Sequence, residues 1–145
     1  MGQTDYIAEA RVQISSAPEE IWDALTEPKR IKTYMFGTQV ETNWEAGSQI
    51  TWRGEWKGKE YEDKGEILEF EPRRHLSYSH YSPLSGEPDS PENYHTVSIE
   101  LTSMNGATQV TLTQDNNDSE AARDYSQKNW STMLEALKEH VEAGG

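Results

Sequence analysis

The feature that most limits how this chain can fold is the contrast between its final two dozen residues and everything before them. Ala122, Tyr125, Trp130, Met133, Leu134, Leu137 and Val141 recur at spacings of three to five, the signature of a helix with one apolar stripe. Asn117 or Asp118 caps it, Glu120 sits in its first turn, and Gly144-Gly145 ends it. A helix of about 24 residues spans roughly 36 Å. No earlier segment predicts a helix of comparable length.

What precedes it reads mainly as strands. Tyr6, Ala8, Ala10, Val12 and Ile14 share one face of a half-buried strand. Ser16-Ala17-Pro18-Glu19 predicts a helix start, with Ser16 as N-cap and an early helical proline. Ile21, Trp22 and Leu25 form the apolar face of that short helix, and a second covers Lys29 to Tyr34. Strands follow over Thr38 to Thr42, Ser48 to Trp56, Glu60 to Glu71 and His75 to Ser82. Pro83 to Asn93 holds three prolines and no periodicity, which predicts an exposed, mobile loop placed to act as a lid. Tyr94 to Ser103 and Thr108 to Gln114 flank Asn105-Gly106, a strong hairpin signal.

An antiparallel sheet joined by hairpins needs one face covered. Only the last helix is long enough to cover it, and a strongly twisted sheet curls around such a helix. The predicted fold is therefore α+β: a curved antiparallel sheet of about six to seven strands around a long C-terminal helix, with two short helices after the first strand. Residues 1–145 suffice for one domain. Leu, Ile, Val and Phe number only 22, but 5 Trp and 7 Tyr supply the missing apolar area, so the chain is expected to fold.

Charge and composition narrow the partners. With 26 acidic and 13 basic residues the net charge is −13, which opposes binding to nucleic acid or anionic lipid. Cysteine is absent, removing disulfides, thiolate catalysis and zinc–thiolate sites. The N-terminus shows no signal peptide and no run approaches a membrane span, so a cytoplasmic protein without membrane insertion is expected.

Three stretches carry a family resemblance. Ser15-Ser16-Ala17-Pro18-Glu19-Glu20-Ile21-Trp22-Asp23-Ala24-Leu25-Thr26-Glu27-Pro28 resembles the strand-to-helix junction of the START-like (SRPBCC) superfamily, within it the homologues of the heat-shock-chaperone ATPase activator. Gly65-Glu66-Ile67-Leu68-Glu69-Phe70-Glu71-Pro72, then Arg74-His75-Leu76, resembles the central strand and turn of that family, and Asn129-Trp130 through Leu137 its closing helix. The resemblance implies a helix-grip fold with a cavity between sheet and C-terminal helix. Members of the superfamily include small-ligand binders, lipid carriers, aromatase/cyclase-like enzymes and chaperone regulators. The resemblance is to the single-domain homologues, which lack the N-terminal domain of the eukaryotic chaperone activators.

The expected function is binding of a small apolar or aromatic molecule in a preformed cavity of ~300–1,000 Å³. Trp52, Tyr78, His80, His95, Trp130 and Met133 are the candidate wall, because strand alternation or helical spacing turns each inward. Trp56 and Tyr61 extend the aromatic set. His80 and His95 are either satisfied core histidines or a pair orienting a ligand carbonyl or hydroxyl. Arg11 or Arg53 would meet a ligand anion if turned inward. Glu60, Glu62 and Asp63 read as a solvated strand face. His75 is a turn residue, and His140 lies in the last helical turn, where a cation suits the dipole; without a third converging ligand no metal is expected. No cofactor is implied. No Gly-x-Ser-x-Gly elbow, phosphate loop or His-Glu-x-x-His occurs. An aromatase/cyclase-type enzyme on a polyketide-like substrate and a chaperone-interacting module are the alternatives.

Overall fold

The computed structural model describes residues 6–35, 37–56, 58–82, 88–117 and 119–144, without the side chains of Trp56 and Pro91. The strands are β1 (Tyr6–Ile14), β2 (Gln39–Glu41), β3 (Gln49–Trp56), β4 (Lys59–Glu71), β5 (His75–His80), β6 (His95–Met104) and β7 (Ala107–Asn117). Helices α1 (Pro18–Thr26) and α2 (Pro28–Tyr34) lie between β1 and β2, and α3 (Glu120–Glu142) follows β7. The seven strands form one antiparallel sheet in the order β1-β7-β6-β5-β4-β3-β2. Its two edges are thus β1 and β2, and α1 and α2 carry the chain from one to the other. This is the helix-grip architecture that the periodicities predict.

Strand alternation places the core. Ala8, Ala10, Val12 and Ile14 of β1 are buried, as are Val97, Ile99 and Leu101 of β6 and Val110 and Leu112 of β7. Tyr6, on the same face by parity, is 37 % exposed. Register shifts between Ile67 and Glu69 and between Tyr6 and Ala8 bend the sheet. Asn116 sits in the second bulge with φ 59°.

Helix α3 presents Met133, Leu134, Leu137 and Val141 to the sheet. Tyr125, expected on that stripe, is 65 % exposed. At about 100° per residue, a step of five from Trp130 carries Tyr125 off the stripe and brings Ser126 onto it. Ser126 accordingly donates to Asn117 Oδ1 at 3.0 Å. The cap also differs from expectation. Ser119 accepts from the Ala122 amide at 3.1 Å, while Asn117 is the buried last residue of β7 and donates to Tyr6 O. Asp118 lies outside the described residues. At α1 the N-cap is Ala17, with no side-chain cap bond and Pro18 opening the helix. Ser16 instead gives its carbonyl to the fully buried Thr108 hydroxyl at 2.8 Å.

Side chains of α3 also cover the open edge of β1. Gln127 accepts from the Glu9 amide, Glu142 from the Ser15 amide, and Lys138 donates to Gln13 O. These bonds occupy backbone groups that would otherwise invite another strand.

Of the loop expected as a lid, residues 83–87 lie outside the described ones. The rest is anchored. Pro91–Asn93 form a turn of 3-10 helix, Tyr94 donates to Asp89 at 2.7 Å, and Lys64 pairs with Asp89. Lys64 alternates with inward-facing Asp63, so this part of the loop leans on the convex face and does not cover the grip.

Candidate ligand-binding site

The inward faces of β3, β4 and β5 build the centre of the candidate site. Ile50 and Trp52 lie opposite Gly65 and Asp63 across the β3–β4 ladder. Ile67 lies opposite Tyr78 and Lys64 opposite Tyr81, which sets Gly65 opposite His80. Gly65 therefore puts no side chain between Ile50 on β3 and His80 on β5, diagonally beside Trp52. A Cβ at Gly65 would stand 1.7 Å from Ser79 O, so the strands themselves close the gap. Through this notch the Trp52 ring reaches Tyr78 and His80, both at centroid separations of 5.0 Å.

Trp52, Tyr78 and Met133 are each more than nine-tenths buried and border one apolar cavity between the sheet and α3. Leu25 of α1, Ile31 and Tyr34 of α2, and Ile99 of β6 close it on other sides, with Met35 before β2 and Trp44 after it. Its volume is about 30 Å³. That corrects the expectation of a preformed ligand-sized pocket, being an order of magnitude below the ~300 Å³ at which such sites begin. The physical reason is the notch at Gly65: the aromatic rings expected to line an open space instead pack against one another.

The cavity lining holds no charged side chain. Tyr34 donates to Ala24 O at 3.0 Å, which satisfies its hydroxyl. The Tyr78 hydroxyl has no hydrogen-bond partner among the described residues. Burial pushes both phenols far above their ordinary range, so both stay protonated at any physiological pH.

The remaining candidates sit toward one end, outside the cavity lining. His80 Nε2 lies 2.9 Å from Asp63 Oδ2, and His95 Nδ1 lies 2.9 Å from Asp115 O. The two imidazoles are 6.4 Å apart. Asp63 is thus no part of a solvated face: its side chain is 15 % exposed and it belongs to the inward row with Ile67. Trp130 is half-buried and donates to Gln114, which in turn bonds Asn117. Tyr61 fills the space over Gly54 and shares a hydrogen bond with Thr38 at 2.8 Å. The side chain of Trp56 is outside the description. Arg53 is more than half exposed beside Glu41 and Glu62, and Arg11 pairs with Glu9 on the outer face. Neither turns inward.

Two other histidines differ from expectation. His75 opens β5 and lies 2.7 Å from Glu69 and 3.5 Å from Glu100. His140 accepts from Arg30 Nε at 3.1 Å, so it is neutral rather than a cation on the helix dipole. Burial, then Arg30, holds its pKa below the ordinary imidazole value. No group of three or more metal-ligating side chains converges among the described residues, and no described helix is long and apolar enough to cross a membrane.

Sequence reasoning passed over Tyr34, Met35, Trp44 and Asp63. Asp63 shares the parity of Ile67, a signal that was legible. Trp44 lies in an aperiodic connection where no pattern assigns a face.

No curated protein matches the chain. Among solved structures, ChR145 from Cytophaga hutchinsonii is 52 % identical, with a TM-score of 0.86 over 99 % of this chain and 98 % of that one. The Aha1 dimer from Colwellia psychrerythraea is 20 % identical, with a TM-score of 0.75 over 96 % and 98 %. CalU16 from Micromonospora echinospora is likewise 20 % identical, with a TM-score of 0.70 over 96 % and 87 %. The last two likenesses concern the fold alone. Residues 15–142 match the family described as "Activator of Hsp90 ATPase homolog 1-like protein", and with nearly the whole chain covered, the protein belongs to that family.

Proposed function

We propose that the protein holds a small, planar, largely apolar molecule between the sheet and α3, in a site that is closed until the molecule enters. One observation carries this: a cavity with no charged side chain in its lining is bordered by Tyr78, whose hydroxyl makes no hydrogen bond to the described residues. A ligand acceptor such as a carbonyl would give that hydroxyl a partner, a hydrogen bond worth about 0.5–1.5 kcal/mol. Met35 and Trp44 are the lining residues that are only partly buried. There β2 contributes three residues paired to β3, and Trp44 is held at φ 59°, a strained value for tryptophan. Moving β2 with the two connections that flank it widens the cavity without breaking the long β4–β7 ladders.

Native mass spectrometry of the purified protein tests for a retained molecule. Titration with planar aromatic ketones, followed by tryptophan fluorescence, tests binding directly, because Trp52 and Trp44 border the cavity. Tyr78→Phe is expected to weaken saturable binding by about 0.5–1.5 kcal/mol with the fold intact. Met133→Trp adds more volume than the cavity holds and is expected to abolish it. Wild-type affinity in a folded Met133→Trp variant, or no saturable signal from any such compound, refutes the proposal.

A further inference from the structure

One buried group beside the cavity is left unused by that reading. Asp63 Oδ2 is held by His80 Nε2 at 2.9 Å, but Asp63 Oδ1 is sealed from solvent and has no hydrogen-bond partner among the described residues. Buried carboxylate oxygens are ordinarily bonded, and an orphaned one calls for an explanation. Its surroundings supply one. Trp52 stands directly opposite Asp63 in the β3–β4 ladder, rests on His80, and is also a wall of the apolar cavity. Trp52 is therefore neighbour to both the cavity and the Asp63 side chain.

We infer that Asp63 Oδ1 is the recognition point for a hydrogen-bond donor on the ligand, so that the molecule held is a hydroxylated aromatic rather than a plain hydrocarbon or an ether. This rests on the interior-binding reading above and narrows it. A planar ligand entering against Trp52 displaces the indole along the notch left by Gly65, and its O–H then faces Asp63. The carboxylate is pre-oriented for this, since His80 holds its other oxygen. A phenolate or carboxylate ligand is disfavoured, because it would bring a second negative charge against Asp63. The apolar ring system fills the cavity while the Tyr78 hydroxyl meets an acceptor elsewhere on the ligand. One end of the site thus asks for a donor and the other for an acceptor, which fixes the direction in which a ligand lies.

The test compares three probes of one ring system on the intact protein: naphthalene, 2-naphthol and 2-methoxynaphthalene. Affinities are read by amide and indole NMR shifts at pH 7. 2-Naphthol is expected to bind roughly ten- to hundredfold more tightly than both the smaller naphthalene and the larger ether, the worth of a hydrogen bond to a charged acceptor. In Asp63→Asn the preference is expected to fall to a few-fold, because a neutral acceptor is roughly half as strong; in Asp63→Ala it is expected to vanish. Equal affinities for the three probes in the wild type overturn the inference while leaving interior binding standing. A preference that survives Asp63→Ala overturns it too, by placing the acceptor elsewhere. Binding of none of the three defeats the interior-binding reading and this inference with it. Equal wild-type affinities overturn the inference even where a substitution at Asp63 prevents folding, and where Asp63→Ala alone fails to fold, Asp63→Asn carries the comparison.

Discussion

Replacing Gly65 with Ala probes the notch on which the whole site depends. The added Cβ would lie 1.7 Å from Ser79 O and 2.6 Å from the carbonyl carbon behind it. Carbon and oxygen cannot approach so closely, and both partners are backbone, so β5 must recede from β4 locally by about 1.5 Å. Overpacking of this kind costs about 1–3 kcal/mol. The recession also strains the paired bonds between Lys64 and Tyr81, at 3.0 and 2.8 Å, each worth about 0.5–1.5 kcal/mol. Reduced freedom of the unfolded chain returns about 0.4–1 kcal/mol. The net expectation is a loss of about 1–5 kcal/mol, read as a lowered urea midpoint at unchanged m-value. Gly54→Ala is the internal control. Its Cβ would meet only the Tyr61 hydroxyl end, at 2.6 Å, and that side chain can swing aside. A loss at Gly65 below about 0.5 kcal/mol, or one no larger than at Gly54, refutes the notch as the reason Trp52 reaches Tyr78 and His80.

Further outcomes follow from the helices. Leu134, 1 % exposed, packs from α3 onto the sheet, and Leu134→Ala is expected to cost about 2–5 kcal/mol in urea unfolding. Ser119→Ala removes the α3 cap and is expected to cost about 0.5–2 kcal/mol by the same measurement, with Ser119→Gly closer to wild type. His140 binds its proton more weakly in the folded state than in the unfolded chain, so the unfolded state takes up more protons as the pH falls. Its share of stability is complete above the ordinary imidazole pKa of 6.5 and is lost as the pH drops below it, where a charged His140 would face Arg30. The decline in urea midpoint between pH 7.5 and pH 5.5 is therefore expected to be smaller in His140→Gln than in wild type. An equal decline would exclude His140, in its setting of Arg30, Glu20 and Tyr34, as a source of the acid sensitivity.

Local pattern determined much of this protein. Alternation in Tyr6–Ile14, the Asn105-Gly106 turn and the spacing of Met133, Leu134, Leu137 and Val141 are consequences of backbone period and turn sterics, which act within a few residues. With hairpin connections and one long helix, they leave little choice but a sheet curled around α3. They also turn Trp52, Tyr78 and Met133 inward, and those three do border one cavity. What the tertiary structure decided depends on groups distant in sequence. That Gly65 stands between Ile50 and His80, diagonally beside Trp52, follows from the registers of three strands at once. The neutrality of His140 follows from Arg30, 110 residues away, and the burial of Asp63 from the curl of β3 and β5 around it. The volume left between sheet and helix was beyond any pattern. It is the small remainder after all inward side chains have packed, so it is set by their mutual fit and not by the identity of any one of them.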